Sequence, residues 1–187
     1  MKISRAKIYH FLCWIRALLY NLIVHNVKIG KRSMICRFTT LNTFYGGKIT
    51  IGQRCFLNKY SQLITYGGDI EIGDNCSVNQ FAMLYGNGNI RIGNGVRIAA
   101  FSSIISFNHN FKNADKWIYS SGVTANGIDI EDDVWIGNGA KIMDGVTIAK
   151  GCVIGANAVV THSTEPYGIY VGAPAKLINK RRSSNDI

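Results

Sequence analysis

The sequence predicts an all-β solenoid, a triangular prism of about six stacked laps of short strands with a helix at one end. Three observations predict it: an aliphatic residue returns every sixth position, a small or β-branched residue stands two places before each return, and glycines mark the places where the count slips. From Ile130 the aliphatic positions are Ile130, Ile136, Ile142, Ile148, Ile154 and Val160, and the small ones are Val134, Ala140, Val146, Cys152 and Ala158. A period of six fits neither the 3.6 of a helix nor the 2 of an ordinary half-buried strand. Three strands per lap, each pointing its aliphatic side chain inward, close a prism whose stacked laps bury one continuous apolar column.

Residues 1–27 precede the repeat and form a basic N-terminal segment. Residues 1–68 hold 11 Lys or Arg and no acid, because the first acid is Asp69, so the net charge of +10 is concentrated there. Within it Ile8, Phe11, Leu12, Ile15, Leu18, Leu19, Leu22 and Ile23 recur at helical spacing, which predicts an amphipathic helix over residues 4–24. The apolar run from Phe11 to Val24 contains Arg16 and Asn21 and falls short of the ~20 apolar residues a spanning helix needs. The helix is expected to cap the open end of the prism, to rest on an anionic membrane surface, or to do both. No nucleic-acid module accompanies the charge, so nucleic acid is not an expected partner.

The solenoid domain is read over residues 28–162. Upstream of Ile130 the aliphatic positions fall in triplets: Ile29, Ile35, Leu41; Ile51, Leu57, Leu63; Ile72, Val78, Leu84; and Ile92, Ile98, Ile104. The junctions "FYGG", "YGGD" and "GNGN" carry extra residues whose glycines can turn through positive φ. Cys55, Cys76 and Cys152 occupy the small inward slot and are expected to act as buried hydrophobes, whereas Cys13 and Cys36 lie outside that register. Five cysteines without a CxxC pair point to a reducing compartment rather than a disulfide scaffold.

The rhythm stops at "SFNHNF". Ile104 and Ile130 are 26 positions apart, where inward aliphatics otherwise stand six to ten apart, so residues 105–129 are expected to be pushed out as a loop. That loop carries His109, the aromatics Phe107, Phe111 and Trp117, and the stretch "SSGVTANG". Long loops in compact domains are often functional. A lone histidine without further convergent ligands argues against a metal site. Residues 163–187 form a short, basic C-terminal tail.

Together the six-residue laps, the loop opening with "NHNF", the run "VWIGNGAKIMDGVTIAKGCVIGANAVV" and the tail "YGIYVGAPAKLI" resemble the bacterial hexapeptide-repeat acetyltransferases. The resemblance implies a left-handed parallel β-helix and acetyl-CoA as the acetyl donor, with no metal. It implies that His109 removes the proton from an acceptor hydroxyl that attacks the thioester directly; an imidazole is available as a base near neutral pH. It places the pantetheine arm near Gly139, Ala140 and Ala158, the last two also packing inward, and the CoA phosphates near Lys176, Lys180, Arg181 and Arg182. Trp135, one place before inward Ile136, faces out and covers either a neighbouring prism or the acyl and acceptor site. Asn79, or its neighbour Gln80, matches an asparagine beside the acetyl group. Where small-sugar members carry a glutamate that orients the histidine, this chain has Val123 or Thr124; Asp115, a backbone carbonyl or nothing takes that part.

The family is trimeric with sites between subunits, so a homotrimer is expected. The resemblance and the basic N-terminus together favour O-acetylation of a sugar in a surface polysaccharide or its lipid-linked precursor, at the inner face of the cytoplasmic membrane. A soluble acetyltransferase for small sugars or xenobiotic alcohols is the alternative enzyme. A non-catalytic scaffold is the alternative of another class, and it leaves the loop and His109 without a purpose.

Overall fold

A computed structural model describes residues 5–182, so the outermost residues of the N-terminal segment and of the tail lie outside the described residues. Three parallel sheets form the three faces of the prism. The first face stacks Val27–Ile29, Ile49–Ile51, Ile70–Ile72, Ile90–Ile92, Ile128–Ile130 and Thr147–Ile148. The second stacks Met34–Ile35, Phe56–Leu57, Ser77–Val78, Arg97–Ile98, Trp135–Ile136 and Val153–Ile154, and Gly168–Val171 adds a further rung. The third stacks Thr40–Asn42, Gln62–Ile64, Met83–Tyr85, Ser103–Ile105, Lys141–Ile142 and Val159–Val160. Six laps are therefore complete.

Every aliphatic position read from the repeat is buried, and so are all three cysteines of the small slot. Ladder pairing stacks like on like, as in Ile49↔Ile70 and Ile51↔Ile72, which is why one residue type can recur without leaving a void. At several corners a side chain of one lap serves the backbone of the lap before it: Asp74 accepts from Gln53 N–H at 2.8 Å and Asn94 from Asp74 N–H at 2.8 Å. These bonds satisfy amide groups that the short strands leave over.

The corners hold a feature that the repeat does not announce. At the turn between the second and third faces, Phe38, Tyr60, Phe81 and Phe101 all adopt φ between 60° and 65°. A bulky residue there costs about 1–2 kcal/mol. Each ring stacks on the next, with centroids 5.1, 5.1 and 5.0 Å apart, and such contacts return roughly 0.5–1.5 kcal/mol apiece. The ladder stops at the fifth lap, where Gly139 takes the same turn at φ 68°.

Helix α1 (Arg5–Ile23) forms as expected and packs on the first strands of the first and second faces. Its docking face differs from the expected one. Cys13 and Ala17 are buried, with Tyr20 and Val24 against the core, while Phe11, Leu18, Leu22 and Ile23 stand in solvent. Small residues win because the helix lies close across the lap, near enough for Cys13 Sγ to reach Cys36 Sγ at 3.6 Å. Leu22 and Ile23 are left 81% and 73% exposed, an unusual state for a helix that is apolar on nearly every side.

The tail joins the sheet. Lys176–Lys180 pairs antiparallel with Gly168–Val171 and closes the second face. Tyr170 is buried there, and its hydroxyl accepts from Glu165 N–H at 2.8 Å.

Candidate active site

The extruded segment is an ordered hairpin rather than the flexible stretch its composition suggests. Asn108–His109 pairs antiparallel with Val123–Thr124, and His109 stands opposite Val123. Asn110 ties the two arms, its backbone N–H donating to Gly122 O at 3.0 Å and its Nδ2 to Ser121 O at 3.0 Å, while Thr124 Oγ1 donates to Asn110 Oδ1 at 2.6 Å. A helical turn, Ile118–Ser120, closes the far end.

Both roots of the hairpin are fixed. At the outgoing root Ser106 is fully buried, its Oγ donating to Tyr85 O at 3.1 Å and its carbonyl accepting from Gly88 N–H at 3.1 Å. At the returning root Asp144 accepts three hydrogen bonds, from Asn126 N–H at 2.9 Å, Asn126 Nδ2 at 2.9 Å and Gly127 N–H at 3.0 Å. The prism thus holds the base of the hairpin even though the chain leaves it for some twenty residues.

A cleft of about 480 Å³ opens in the hairpin, lined by His109 together with Asn110, Phe111, Lys112, Lys116 and Thr124 among others. No carboxylate lines it. His109 is exposed, and its ring meets the edge of Phe107 at 6.4 Å between centroids, 78° apart. Among the described residues no hydrogen bond to the imidazole is present; Asp115 does not supply one, and its own N–H donates to Asn113 Oδ1 at 2.9 Å. Val123 lies opposite the histidine and Thr124 opposite Asn108, so the facing arm brings no carboxylate to the ring.

The remaining sequence-predicted residues fall elsewhere on the prism. Asn79, Gly139, Ala140 and Ala158 share the corner between the second and third faces, whereas His109 leaves from the corner between the third and the first. Asn79 Nδ2 donates to Ile98 O at 3.0 Å. Ala140 and Ala158 are fully buried, and their carbonyls accept from Ser103 and Lys141, so any ligand there meets the rim around them, not their methyl groups. At Gly139, with φ 68°, a Cβ would meet only the amide end of the Asn157 side chain, so the corner is open on its outer side. Trp135 faces outward on the second face, 55% exposed, between Arg97 and Val153.

Of the basic tail, Lys180 pairs with Glu165 at 2.8 Å and Arg181 with Asp133 at 2.8 Å. The hydrogen bond to Glu165 raises the Lys180 pKa. Lys176 has no ion pair among the described residues. One chain therefore does not assemble the whole predicted set. Among the described residues no three His, Cys, Asp or Glu side chains converge as metal ligands.

Sequence reasoning missed the roots, Ser106 and Asp144, and a row of tyrosines leading to the histidine. The second had a signal: tyrosine precedes glycine at three successive junctions, Tyr45, Tyr66 and Tyr85.

A parallel β-solenoid that expels one histidine-bearing hairpin from between two laps is the class the architecture defines. Residues 127–162 match the family model for the bacterial transferase hexapeptide (six repeats). A probable acetyltransferase of Mycobacterium tuberculosis is 36% identical over 96 residues, 51% of this chain and 32% of that protein. A chloramphenicol acetyltransferase of Agrobacterium fabrum is 46% identical over 77 residues, 41% of this chain and 35% of that one. The chain thus spans about a third of the length of these curated relatives. Over nearly the whole chain the fold is that of AntD, an N-acyltransferase from Bacillus cereus solved with dTDP-4-amino-4,6-dideoxyglucose and coenzyme A. The TM-score is 0.76 at 21% identity, covering 89% of this chain and 91% of AntD.

Proposed function

We propose that the protein is an acetyl-CoA-dependent O-acetyltransferase acting on a sugar hydroxyl of a surface polysaccharide or its lipid-linked precursor. The observation that carries the reading is His109, held on a hairpin anchored at both roots, exposed on a cleft without carboxylates. A hydroxyl is a weak nucleophile, and a neutral imidazole is the side chain best placed to take its proton near pH 7. Acetyl-CoA would supply the activated acetyl group. His109 takes the acceptor's proton as the oxygen attacks and returns it to the departing sulfur, so no acyl-enzyme is needed. Lys112 and Lys116 in the cleft and Lys176 on the last strand suit an anionic phosphate-bearing donor. Gly139 at the neighbouring corner suits close approach of the donor's arm.

Because His109 and the Gly139 corner lie at different edges of one prism, the complete site is formed between subunits of a homotrimer, each hairpin reaching its neighbour. The exposed apolar side of helix α1, set in the basic third of the chain, rests on an anionic membrane surface, each nearby Lys or Arg contributing about 1 kcal/mol. No helix among the described residues is long and apolar enough to cross a membrane.

The test is acetyl transfer by the full chain and by His109→Ala. We expect transfer to fall by about 10²–10⁴-fold, with stabilisation by acetyl-CoA retained in the variant. Undiminished transfer by the variant would sink the reading. A second reading, acetylation of a xenobiotic alcohol, is favoured by the matched segment of chloramphenicol acetyltransferases. Efficient acetylation of chloramphenicol, with lipid-linked glycans untouched, would select it.

A further inference from the structure

We infer that the aromatic wall from Tyr45 through Tyr66 and Phe107 to His109 is an acceptor subsite for a neutral oligosaccharide of two or more sugar units. The inference rests on the acetyltransferase reading and names the part of the acceptor that lies beyond the reacting hydroxyl.

The wall is continuous. Tyr45 and Tyr66 stack with centroids 5.5 Å apart and planes 14° apart; Phe107 follows at 5.9 Å from Tyr66, and His109 at 6.4 Å from Phe107. It runs from the first lap to the root of the hairpin on the fourth, and its centroid steps of 5.5, 5.9 and 6.4 Å trace a path longer than one pyranose ring. Tyr85 stands beside it, edge-on to Tyr66 at 5.3 Å, with its hydroxyl bonded to Gln62 Oε1 at 3.0 Å.

Its chemistry selects a neutral, polyhydroxylated ligand. The adjoining third face is uncharged through four laps, in Thr40–Asn42, Gln62–Ile64, Met83–Tyr85 and Ser103–Ile105. The outward residues of the first face include Lys28, Glu71, Arg91 and Asp129. Sugar C–H groups carry partial positive charge from neighbouring oxygens, and the negative ring faces that the Tyr45–Tyr66 stack leaves uncovered are surfaces for them to lie on. Gln62 and Asn42 offer neutral amides at the edge of the same wall for hydroxyl groups. A phosphate-rich ligand would find no cation on the first four strands of this face, the nearest being Lys141 on the fifth and Lys112 and Lys116 in the cleft beyond His109; the other aromatic ladder, Phe38 to Phe101, runs along a different corner and does not reach His109.

The experiment is binding of the full chain to an array of mono- to tetrasaccharides of neutral hexoses and N-acetylhexosamines, alongside Tyr45→Ala and Phe107→Ala. Acetyl-CoA stabilisation and sedimentation are followed in parallel. Expected is a rise of about tenfold in affinity from one unit to three, lost in both variants, with the acetyl-CoA response and sedimentation unchanged. Affinity independent of length, or length dependence retained in both variants, would overturn the subsite and leave the transferase reading standing. Dissociation of the assembly in either variant would instead show the wall to be a subunit contact and also overturn it. Length-dependent binding without any response to acetyl-CoA would keep the wall and overturn the transferase reading.

Discussion

The side-chain amide of Asn21 on the helix and the backbone of Ile29 on the first strand exchange two hydrogen bonds, at 2.8 and 2.7 Å. Asn21 thereby does for Ile29 what the backbone of a neighbouring strand does for the inner laps. It occupies an edge that would otherwise offer unpaired groups to another chain.

Asn21→Leu is expected to destabilise the protein by about 2–3 kcal/mol, since it leaves a partly buried donor and acceptor without partners. Urea unfolding measures the loss. If the helix undocks first, its helical signal will melt ahead of the tyrosine signal from the prism.

The corner ladder makes an unusual forecast. Phe81→Gly removes the stack but suits φ 60°, whereas Phe81→Ala loses the stack and keeps the strain. The glycine variant should be more stable than the alanine variant by about 0.5–1 kcal/mol, the αL cost of alanine outweighing its smaller unfolded-state entropy. Thermal denaturation of the pair decides it.

Asp144 serves as a positioning residue. Asp144→Ala frees Asn126 and Gly127, so proteolysis within residues 107–125 should accelerate and transfer should fall by about tenfold or more. Wild-type proteolysis with reduced transfer would assign Asp144 some other part.

The helix leaves a signature at alkaline pH. Burial, the largest cause, pushes the Cys36 thiol up to about 11 from 9.0. The folded state therefore holds this proton more tightly than the unfolded chain, and the stability it contributes is full below pH 9 and lost as pH rises toward 11. Unfolding midpoints should fall across that window, equivalent to about 1–2 kcal/mol. Cys36→Ala should flatten the decline.

Donor binding separates the basic residues of the last strand. Lys176→Ala should weaken acetyl-CoA binding by about tenfold, the scale of one charge-assisted contact. Lys180→Ala, already engaged by Glu165, should change it little, and isothermal titration compares them.

The prism was legible because its cause is local and repeated. A six-residue spacing dictates which side chains meet, so Ile130 to Val160 could be placed inward without knowing anything distant. The break at His109 was legible for the same reason, as a departure from a counted rhythm. The helix face was not. Cys13 and Ala17 were chosen by how closely the helix approaches the prism, a property of the partner's surface. Nor could spacing show Phe38 and its successors in a left-handed turn, because that conformation is imposed by the corner of the closed prism and supported by stacking on rings some twenty residues away. Asp144 escaped notice because its partners lie across the hairpin's root, in contact only once the laps have closed.

Ile90 pairs directly with Ile128 in the first face, so the fourth and fifth laps meet as though nothing stood between them. The hairpin is in this sense a cassette plugged into a finished chassis. Its length and lining can drift, or be exchanged for another, while the column beneath bears no part of the change. A chain organised this way can vary roughly a tenth of its length without disturbing the laps packed on either side.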